Sequence, residues 1–354
     1  MICFVINNKS LFLLLYLRKY NNYNNNMNKN YLPWVEKYRP IYMNDIISHD
    51  QNIETIKKLL IGGSLPHLLF YGLPGTGKTS TIMALAREIY GNNIRLMVMK
   101  LDASDDRGIN SVREEIKGFA EKSNMFHKGV RLIILDEADA MTFDAQFALR
   151  RIIEKYSSTI RFCLICNYEN KIIPAIRSRC ANFRFSNIKD EHIIIKLKNI
   201  IFKENIKCDD NIIKTISILS KGDLRKAINL LQCVTMQSNN ELLSEQLCYD
   251  TAGIPSITDI NYIVNILVDI NMDFDKSYKL IINKIKNENY SLSIVLKEII
   301  NILLTNDYNN ATKPIIISEL SDLENMVSKS TFDDIYFTGL ISIFKKYNFI
   351  SSIV

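Results

Sequence analysis

The sequence has few of the residues that interrupt regular structure: its 354 residues include 12 glycines and 7 prolines. This scarcity argues against long flexible linkers and excludes a collagen-like chain. No segment reaches the 18–20 apolar residues of a membrane-spanning helix, so we expect no membrane partner. Hydrophobic residues make up 47% and charged residues 23% of the chain, as in ordinary globular proteins. The length suits two or three domains.

Cysteine is present in an odd number, seven, at irregular spacing. That pattern argues against a disulfide framework and mildly favours a reducing compartment. The one close pair, Cys163 and Cys166, lies in the apolar stretch RFCLICN. A structural zinc site needs four ligands, and no second pair follows at zinc-finger spacing. We therefore expect both cysteines to be buried strand residues.

The positive charge is concentrated at the beginning of the sequence. The chain carries a net charge of +6, of which residues 1–30 hold +4, so that the rest carries +2. Net charge is therefore a poor sign of nucleic-acid binding here. An apolar run at 11–17 has no clear basic region before it and no small-residue cleavage site after it, and a polar tract follows. We expect residues 1–30 to be a disordered extension or the protein to start at Met27, and a targeting peptide is the less favoured alternative.

From residue 31 the chain alternates between short apolar runs and helical patterns, an arrangement typical of an α/β fold with a parallel sheet flanked by helices. After about residue 186, apolar residues recur only at helical spacing. A probable boundary lies at residues 253–255, where GIP interrupts the pattern. The predicted strands are residues 67–72, 94–101, 131–135, 161–167 and 181–185, and the predicted helices of this part are residues 78–90, 109–120 and 143–155.

A phosphate-binding loop separates the first predicted strand from the first predicted helix. Residues 72–79, GLPGTGKT, match the pattern GxxxxGK[ST] in the strand–loop–helix context that the motif requires. Its glycines let backbone N–H groups surround phosphate oxygens, and the helix N-terminus adds partial positive charge. Lys78 is predicted to reach the β- and γ-phosphates of ATP, and Thr79 to ligate Mg²⁺. The predicted nucleotide-binding residues of this loop are Gly72, Leu73, Pro74, Gly75, Thr76, Gly77, Lys78, Thr79 and Ser80.

Two carboxylates follow the third predicted strand, at the edge of a parallel sheet where α/β proteins bind ligands. Together with the phosphate-binding loop, Asp136 is expected to hold Mg²⁺ through water, and Glu137 to orient and polarise the attacking water. An intact pair favours hydrolysis over binding alone. The alternative is that both acids only cap a strand.

Three more side chains each have a functional and a structural interpretation, and the sequence pattern alone does not choose between them. Asn167 ends the fourth predicted strand and either contacts the γ-phosphate or forms a turn. Arg179 precedes the fifth predicted strand and either acts on the γ-phosphate of a neighbouring subunit or forms a surface ion pair. Arg225, near the start of a later helix, either senses nucleotide or is a solvated charge.

Six segments together resemble the small subunits of replication factor C, the eukaryotic sliding-clamp loader and an AAA+ ATPase. The resemblance is strong over residues 31–240 and depends on helical pattern beyond them. It implies an AAA+ nucleotide-binding domain at 31–186, an all-α lid at 187–253 and an all-α collar at 254–354 that joins five subunits in a ring. The segments are PWVEKYRP at 33–40, the phosphate-binding loop, DASDDRGI at 102–109, LDEAD at 135–139, SRC at 178–180 and GDLR at 222–225.

The resemblance also implies an activity and its partners. ATP with Mg²⁺ is bound and hydrolysed in a nuclear hetero-pentamer with four other replication factor C subunits. That complex loads the sliding clamp, proliferating cell nuclear antigen, onto primer–template DNA for replication and repair. Val35 and Arg39 are implied contacts near the adenine, Arg179 acts on the ATP of the adjacent subunit, and Arg225 contacts this subunit's own nucleotide.

Candidate DNA contacts follow from the resemblance and from phosphate chemistry. Arg107, Arg113 and Lys117 are expected to touch phosphates rather than bases, which gives a salt-dependent grip without sequence preference. Three glutamates share this helix and favour the alternative of a solvated face. Asp102 stands where relatives usually have asparagine, and this matters only if that side chain touches DNA or clamp.

Two other functions are compatible with parts of the pattern. A helicase is suggested by the letters DEAD at 136–139, but it requires a second RecA-like domain, for which the helical residues 187–354 are too short. A non-catalytic assembly subunit would have an eroded phosphate-binding loop or lack Glu137, and the sequence has neither feature.

Overall fold

The computed structural model describes residues 32–61, 65–103, 108–121, 130–238, 243–269, 271–305, 312–330 and 334–347, without the side chains of residues 108–113, 121 and 334. The predicted extension at residues 1–30 lies outside this part of the chain. The chain divides into two compact units after residue 241.

The first unit is built on a parallel sheet, as the alternating pattern predicted. In the described residues the sheet has five strands in the order β2-β3-β4-β1-β5. This order places the carboxyl ends of β3, β4 and β1 side by side, so that the residues following these three strands share one edge. The strands are β1 His67–Gly72, β2 Val98–Asp102, β3 Arg131–Asp136, β4 Ile160–Cys166 and β5 Cys180–Phe185.

Helices cover both faces of the sheet and close two buried clusters. Leu68 and Phe70 of β1 belong to one cluster and Leu69 to the other, because successive strand residues point to opposite faces. Cys163 and Cys166 are buried in β4, as predicted for strand cysteines. The helices of this part are α1 Trp34–Lys37, α2 Asp50–Ile61, α3 Lys78–Tyr90, α4 Ile94–Met97, α5 Gly108–Glu121, α6 Phe143–Tyr156 and α7 Pro174–Arg177.

Two details of this region differ from the sequence predictions. Residues 94–97 form the short helix α4 rather than the start of a strand, and of these four residues only Met97 is buried. Gly91 ends α3 with a φ of +50°, and a 3-10 turn at Gly91–Asn93 leads directly into α4. Phe147, an apolar residue of the predicted helix 143–155, is 52% exposed, whereas Ile152 and Ile153 are buried. The apolar face of α6 is therefore narrower than its composition suggested.

Three further helices complete the first unit: α8 Asp190–Glu204, α9 Asp210–Ser220 and α10 Leu224–Gln237. The Asp223 side chain accepts a hydrogen bond from the Lys226 N–H at 3.0 Å and so caps the N-terminus of α10. Asn187 and Gly222 lie in contact, and a Cβ on Gly222 would sit 2.7 Å from the Asn187 Cβ. The chain entering α8 is thus packed against the turn that starts α10.

The described residues of the second unit are helical throughout. A buried cluster of aliphatic residues and two phenylalanines, Phe337 and Phe344, forms its core. Gly253 ends the first of these helices in a left-handed conformation, at the predicted boundary. The assignment of residues 187–253 to a lid and 254–354 to a collar stays a prediction. The helices are α11 Glu245–Ala252, α12 Ile257–Val268, α13 Phe274–Asn287, α14 Leu292–Thr305, α15 Lys313–Val327 and α16 Asp334–Lys346.

Two observations concern the second catalytic sheet that a helicase requires and the presence of membrane-spanning helices. After Phe185 the described residues contain no strand, so a second RecA-like sheet of a helicase is not found among them. Within the same ranges, no helix combines the length and the apolar character needed to cross a bilayer.

Candidate active site

A cleft of about 250 Å³ lies over the edge of the sheet where β1, β3 and β4 end. Its walls come from residues 35–48, the loop at 74–80, the tips of β3 and β4, and the helices α8 and α10. Val35, Arg39, Asn167 and Arg225 all line it. The topology thus brings together most of the side chains that the sequence predicted, although they are separated by up to 190 residues.

The loop between β1 and α3 is held tightly against its surroundings. Gly72 has a φ of +143° and Gly75 a φ of +70°, conformations that favour glycine. A Cβ on Gly72 would lie 2.0 Å from the Phe185 carbonyl oxygen, and a Cβ on Gly75 would lie 1.7 Å from the Asp223 Oδ1. Strand β5 and the start of α10 therefore fix the loop from two sides.

Lys78 points its ammonium group back into the loop. Its Nζ donates to the carbonyl oxygens of Gly72 at 2.6 Å and Leu73 at 2.8 Å, and to the Asn167 Oδ1 at 3.1 Å. The side chain is buried, and burial lowers the pKa of Lys78 below its ordinary value. The carbonyls of Gly72 and Leu73 therefore hold the Lys78 ammonium, and these two residues do not line the cleft. Residues 74–80 form its wall.

The helix that follows the loop offers a site for an anion. Gly77, in a left-handed conformation, is the N-cap residue of α3 and has no side chain that occupies the first N–H groups. These donors, the partial positive charge of the helix end and the Lys78 ammonium meet at one end of the cleft. This is a fitting environment for the phosphates of a nucleotide.

Asp136 receives hydrogen bonds from three directions. Its Oδ2 accepts from the Thr79 Oγ1 at 3.2 Å and pairs with the Lys100 Nζ at 3.0 Å, while its Oδ1 accepts from the Glu137 N–H at 3.3 Å. Hydroxyl and carboxylate oxygens are ligands that Mg²⁺ prefers, and it commonly uses one or two carboxylates together with substrate phosphates. The donor set at Thr79 and Asp136 therefore fits magnesium.

Glu137 is the exposed residue at the tip of β3, where it lines the cleft. Its φ of +54° places it in the left-handed region, which costs about 1 kcal/mol or more for a residue with a Cβ. Backbone outliers of this kind concentrate at functional sites. The strain lies at the residue predicted to orient water.

Asn167 is fixed at the tip of β4 by an acid that the sequence interpretation had not used. The Asp139 Oδ2 accepts from the Asn167 N–H at 3.1 Å and from the Tyr168 N–H at 3.2 Å. With this support, the Asn167 amide is held against the Lys78 ammonium. Asp139 belongs to the motif LDEAD, but only the fold shows that it serves the next strand.

Arg179 lies outside the cleft and forms the surface ion pair that was one of its two interpretations. Its Nη2 lies 2.6 Å from the Glu154 Oε1, and its Nη1 donates to the Ala175 carbonyl at 2.6 Å. Arg150 shares the same carboxylate, and together these guanidinium groups lower the pKa of Glu154. The action on a neighbouring subunit is not tested by a single chain and stays a prediction.

The segment that carries Val35 and Arg39 is anchored to the helices at 190–237. The Glu204 carboxylate accepts from the Lys37 Nζ at 2.6 Å and from the Tyr38 hydroxyl at 2.5 Å. The Trp34 N–H donates to the Gln232 Oε1 at 2.9 Å. Sequence reasoning missed Glu204, since nothing in its helical surroundings distinguishes it from a solvated charge.

Arg225 stands at the first turn of α10, which begins on the phosphate-binding loop. The Leu224 N–H donates to the Gly75 carbonyl at 3.3 Å, next to the contact between Gly75 and Asp223. Arg225 lines the cleft, in agreement with the nucleotide-facing interpretation of this residue. Its contact with a nucleotide stays a prediction.

The candidate DNA contacts are mostly outside the described structure. Arg107 lies outside the described residues, and so does the side chain of Arg113 on α5. Lys117 is exposed on the same helix. The contact of these three residues with DNA phosphates therefore stays a prediction.

Comparison with known families agrees with this architecture over most of the chain. Residues 68–187 match the ATPase family associated with various cellular activities (AAA). Residues 196–236 match the RCF1/5-like AAA+ ATPase lid domain, and residues 255–342 match the replication factor C C-terminal domain.

Curated relatives match nearly the full length. The chain is 43% identical over 316 residues to the probable replication factor C subunit 5 of Dictyostelium discoideum, covering 89% of this chain and 90% of the relative. It is 42% identical to replication factor C subunit 5 of Homo sapiens, covering 89% and 92%. It is 41% identical to replication factor C subunit 3 of Saccharomyces cerevisiae, covering 90% and 94%.

Among solved structures, a mutant of RuvB from Thermotoga maritima matches with a TM-score of 0.51 at 14% identity, covering 73% of this chain and 91% of that one. At this identity the likeness concerns the fold alone.

Proposed function

Because the chain belongs to the family of replication factor C subunits, we propose that its cleft binds ATP with Mg²⁺ and drives a clamp loader in DNA replication. The chain is an AAA+ ATPase subunit, with an AAA domain and a replication factor C C-terminal domain. The observation that carries the proposal is the joint placement of Lys78, Thr79 and Asp136 in one cleft.

In the proposed nucleotide complex, the loop N–H groups and Lys78 hold the phosphates. The Lys78 ammonium is already directed into the loop by three acceptors, two of which are the backbone carbonyls of Gly72 and Leu73. A preorganised ammonium loses little further freedom when the β- and γ-phosphates replace an acceptor. Val35, Arg39 and Arg225 line the rest of the cleft, where the base and ribose would extend.

For hydrolysis, Glu137 would orient and polarise water, and its exposure to the cleft at the tip of β3 supports this role. Asn167, supported by Asp139, holds an amide where a γ-phosphate or the attacking water would be contacted. Thr79 and Asp136 are the residues that would hold magnesium, which supplies charge neutralisation for the transferred phosphoryl group.

The proposed assembly is a nuclear hetero-pentamer with four other replication factor C subunits. It would place the sliding clamp, proliferating cell nuclear antigen, on primer–template DNA. In that ring Arg179 would leave Glu154 and act on the ATP of the adjacent subunit, while Arg107, Arg113 and Lys117 would contact DNA phosphates. This proposal is supported by the relatives that are named replication factor C subunits, which the chain matches over nearly their full length.

A Glu137→Gln variant tests the catalytic assignment. The amide keeps the size of the side chain but removes the base, so ATP affinity should stay within about twofold while turnover falls by about 100-fold or more at this site. Asp144→Asn, an exposed acid at the start of α6 outside the lining of the cleft, is the matched control. Fluorescent-nucleotide titration of the chain and ATP turnover of the reassembled complex report the two quantities. Unchanged turnover of the complex that carries Glu137→Gln would refute the role.

A further inference from the structure

Lys100 forms an ion pair with Asp136 that the proposed catalytic scheme does not use. Its Nζ lies 3.0 Å from the Asp136 Oδ2, and the two side chains are 46% and 17% exposed. An ion pair at this exposure contributes little to stability, because solvent screens it and the lysine loses rotamer freedom. The function of Lys100 is therefore to be sought in its contact with the Asp136 carboxylate rather than in stability.

The register of the sheet builds this contact. Lys100 on β2 pairs with Ile134 on β3, and Asp102 pairs with Asp136, so Lys100 reaches the carboxylate along the diagonal to a residue two positions further on. A long side chain spans such a diagonal readily. The Ala103 N–H also donates to the Asp136 carbonyl at 2.8 Å, which fixes the end of β2 against this residue.

The oxygen that Lys100 contacts is the one that faces Thr79. The Asp136 Oδ2 accepts from the Thr79 Oγ1 at 3.2 Å as well as pairing with the Lys100 Nζ, whereas Oδ1 accepts from the Glu137 N–H. Thr79 and Asp136 are the two residues proposed to hold magnesium. The lysine ammonium and the cation are therefore directed to the same side of one carboxylate.

We infer that Lys100 is a positioning residue that competes with magnesium for Asp136 and so sets the magnesium requirement of nucleotide binding. This inference rests on the proposed magnesium site at Thr79 and Asp136. Like charges repel, so an ammonium on the shared oxygen weakens cation binding, and it holds the carboxylate in position until magnesium arrives. Lys100 acts through Asp136 and needs no contact with nucleotide.

The test is the magnesium dependence of ATP affinity in the full chain, followed with a fluorescent ATP analogue at constant ionic strength. Lys100→Met removes the charge and keeps much of the length, so the half-saturating magnesium concentration should fall by about two- to fivefold, the range expected for a partly exposed ion pair. Lys100→Arg keeps the charge and should not lower it. Lys58→Met, which removes an exposed lysine paired with Glu54 on α2, should leave it unchanged.

A magnesium requirement in Lys100→Met that equals or exceeds that of the unmodified chain would overturn the inference. If the unmodified chain shows no magnesium effect on ATP affinity at all, the proposed magnesium site itself is wrong, which is a different result. Manganese binding to the ATP-bound chain, measured by electron paramagnetic resonance in Lys100→Gln, repeats the comparison without a hydrophobic substitution. Tighter manganese binding supports the competition, and unchanged binding contradicts it.

Discussion

At the scale of single residues, the site depends on side chains held before a nucleotide binds. Lys78 is directed by two carbonyls and an amide, and Asn167 by the carboxylate of Asp139. The two carbonyls belong to the phosphate-binding loop itself, whereas Asn167 and Asp139 come from distant elements, so local sequence does not reveal their contacts. The sequence predicted Lys78 and Asn167 from motif and strand position, but their contact requires the neighbouring ends of β1 and β4.

Replacing Lys78 by alanine should abolish ATP binding and leave the fold intact. The substitution removes the cation of the phosphate site, and the carbonyls it leaves can be hydrated from the cleft, so we expect affinity to fall by about 100-fold or more. Nucleotide titration and thermal unfolding measure the two effects. Lys58→Ala is the control, and an unchanged affinity in Lys78→Ala would refute the assignment of the phosphate site.

His67 provides a residue-scale prediction of acid sensitivity. Its Nδ1 accepts from the Phe162 N–H at 3.1 Å, and burial, with Arg161 nearby, lowers the pKa of His67 from 6.5 to about 4. Between those values the unfolded chain binds the extra proton, so stability falls as the pH decreases from about 6.5 to 4. Because solvent reaches part of the ring and screens it, about 1 kcal/mol is expected from this residue.

His67→Asn keeps an acceptor and removes the titration, so its loss of stability between pH 7 and pH 4.5 should be smaller by about 1 kcal/mol. Urea unfolding followed by the fluorescence of Trp34, the sole tryptophan of the sequence, reports on the first unit. Equal acid sensitivity of the His67→Asn variant and the unmodified protein would show that His67 does not cause the loss of stability.

At the scale of elements, the site is a set of strand ends and helix starts held together by a few contacts. Strand–helix alternation predicted the strands within about one residue, apart from the start of β2, because buried strands show as short apolar runs bounded by turns. Residues 94–97 were assigned to a strand wrongly because a single helical turn is too short to show its period. Tertiary packing sets the strand order, and the ion pair between Lys100 and Asp136 depends on that order.

The contact between the phosphate-binding loop and α10 can be tested through glycine. At Gly75 a φ of +70° and the nearby Asp223 carboxylate both disfavour a Cβ, so Gly75→Ala should shift the loop and weaken ATP binding by about tenfold or more. Gly91→Ala is matched, since Gly91 also has a positive φ, +50°, but no atom lies within 4 Å of its Cβ position. Nucleotide titration of both variants with equal results would show that the loop tolerates the shift.

At the scale of the whole molecule, a single chain brings most of the predicted nucleotide contacts into one cleft but holds Arg179 in an internal ion pair. Glu154 therefore holds the guanidinium that the assembled ring is proposed to need elsewhere. The family resemblance predicted this residue, whereas the sequence pattern alone left the ion pair equally open. A role that needs a second subunit is beyond what one chain's packing can determine.

Arg179→Ala should leave the chain's own ATP affinity unchanged and slow hydrolysis at the neighbouring site by about tenfold or more in the reassembled complex. Arg150→Ala removes the other arginine on Glu154 and serves as the control, with normal turnover expected. ATP turnover of complexes that differ only in this subunit makes the comparison. Normal turnover with the Arg179→Ala subunit would refute the action in trans.

The mass of the complex in which this chain occurs shows whether it works as one ATPase subunit of a clamp loader. Native mass spectrometry of the affinity-purified protein should show a hetero-pentamer with one copy of this chain and four related ATPases. Recovery as a monomeric enzyme that unwinds DNA would contradict the account.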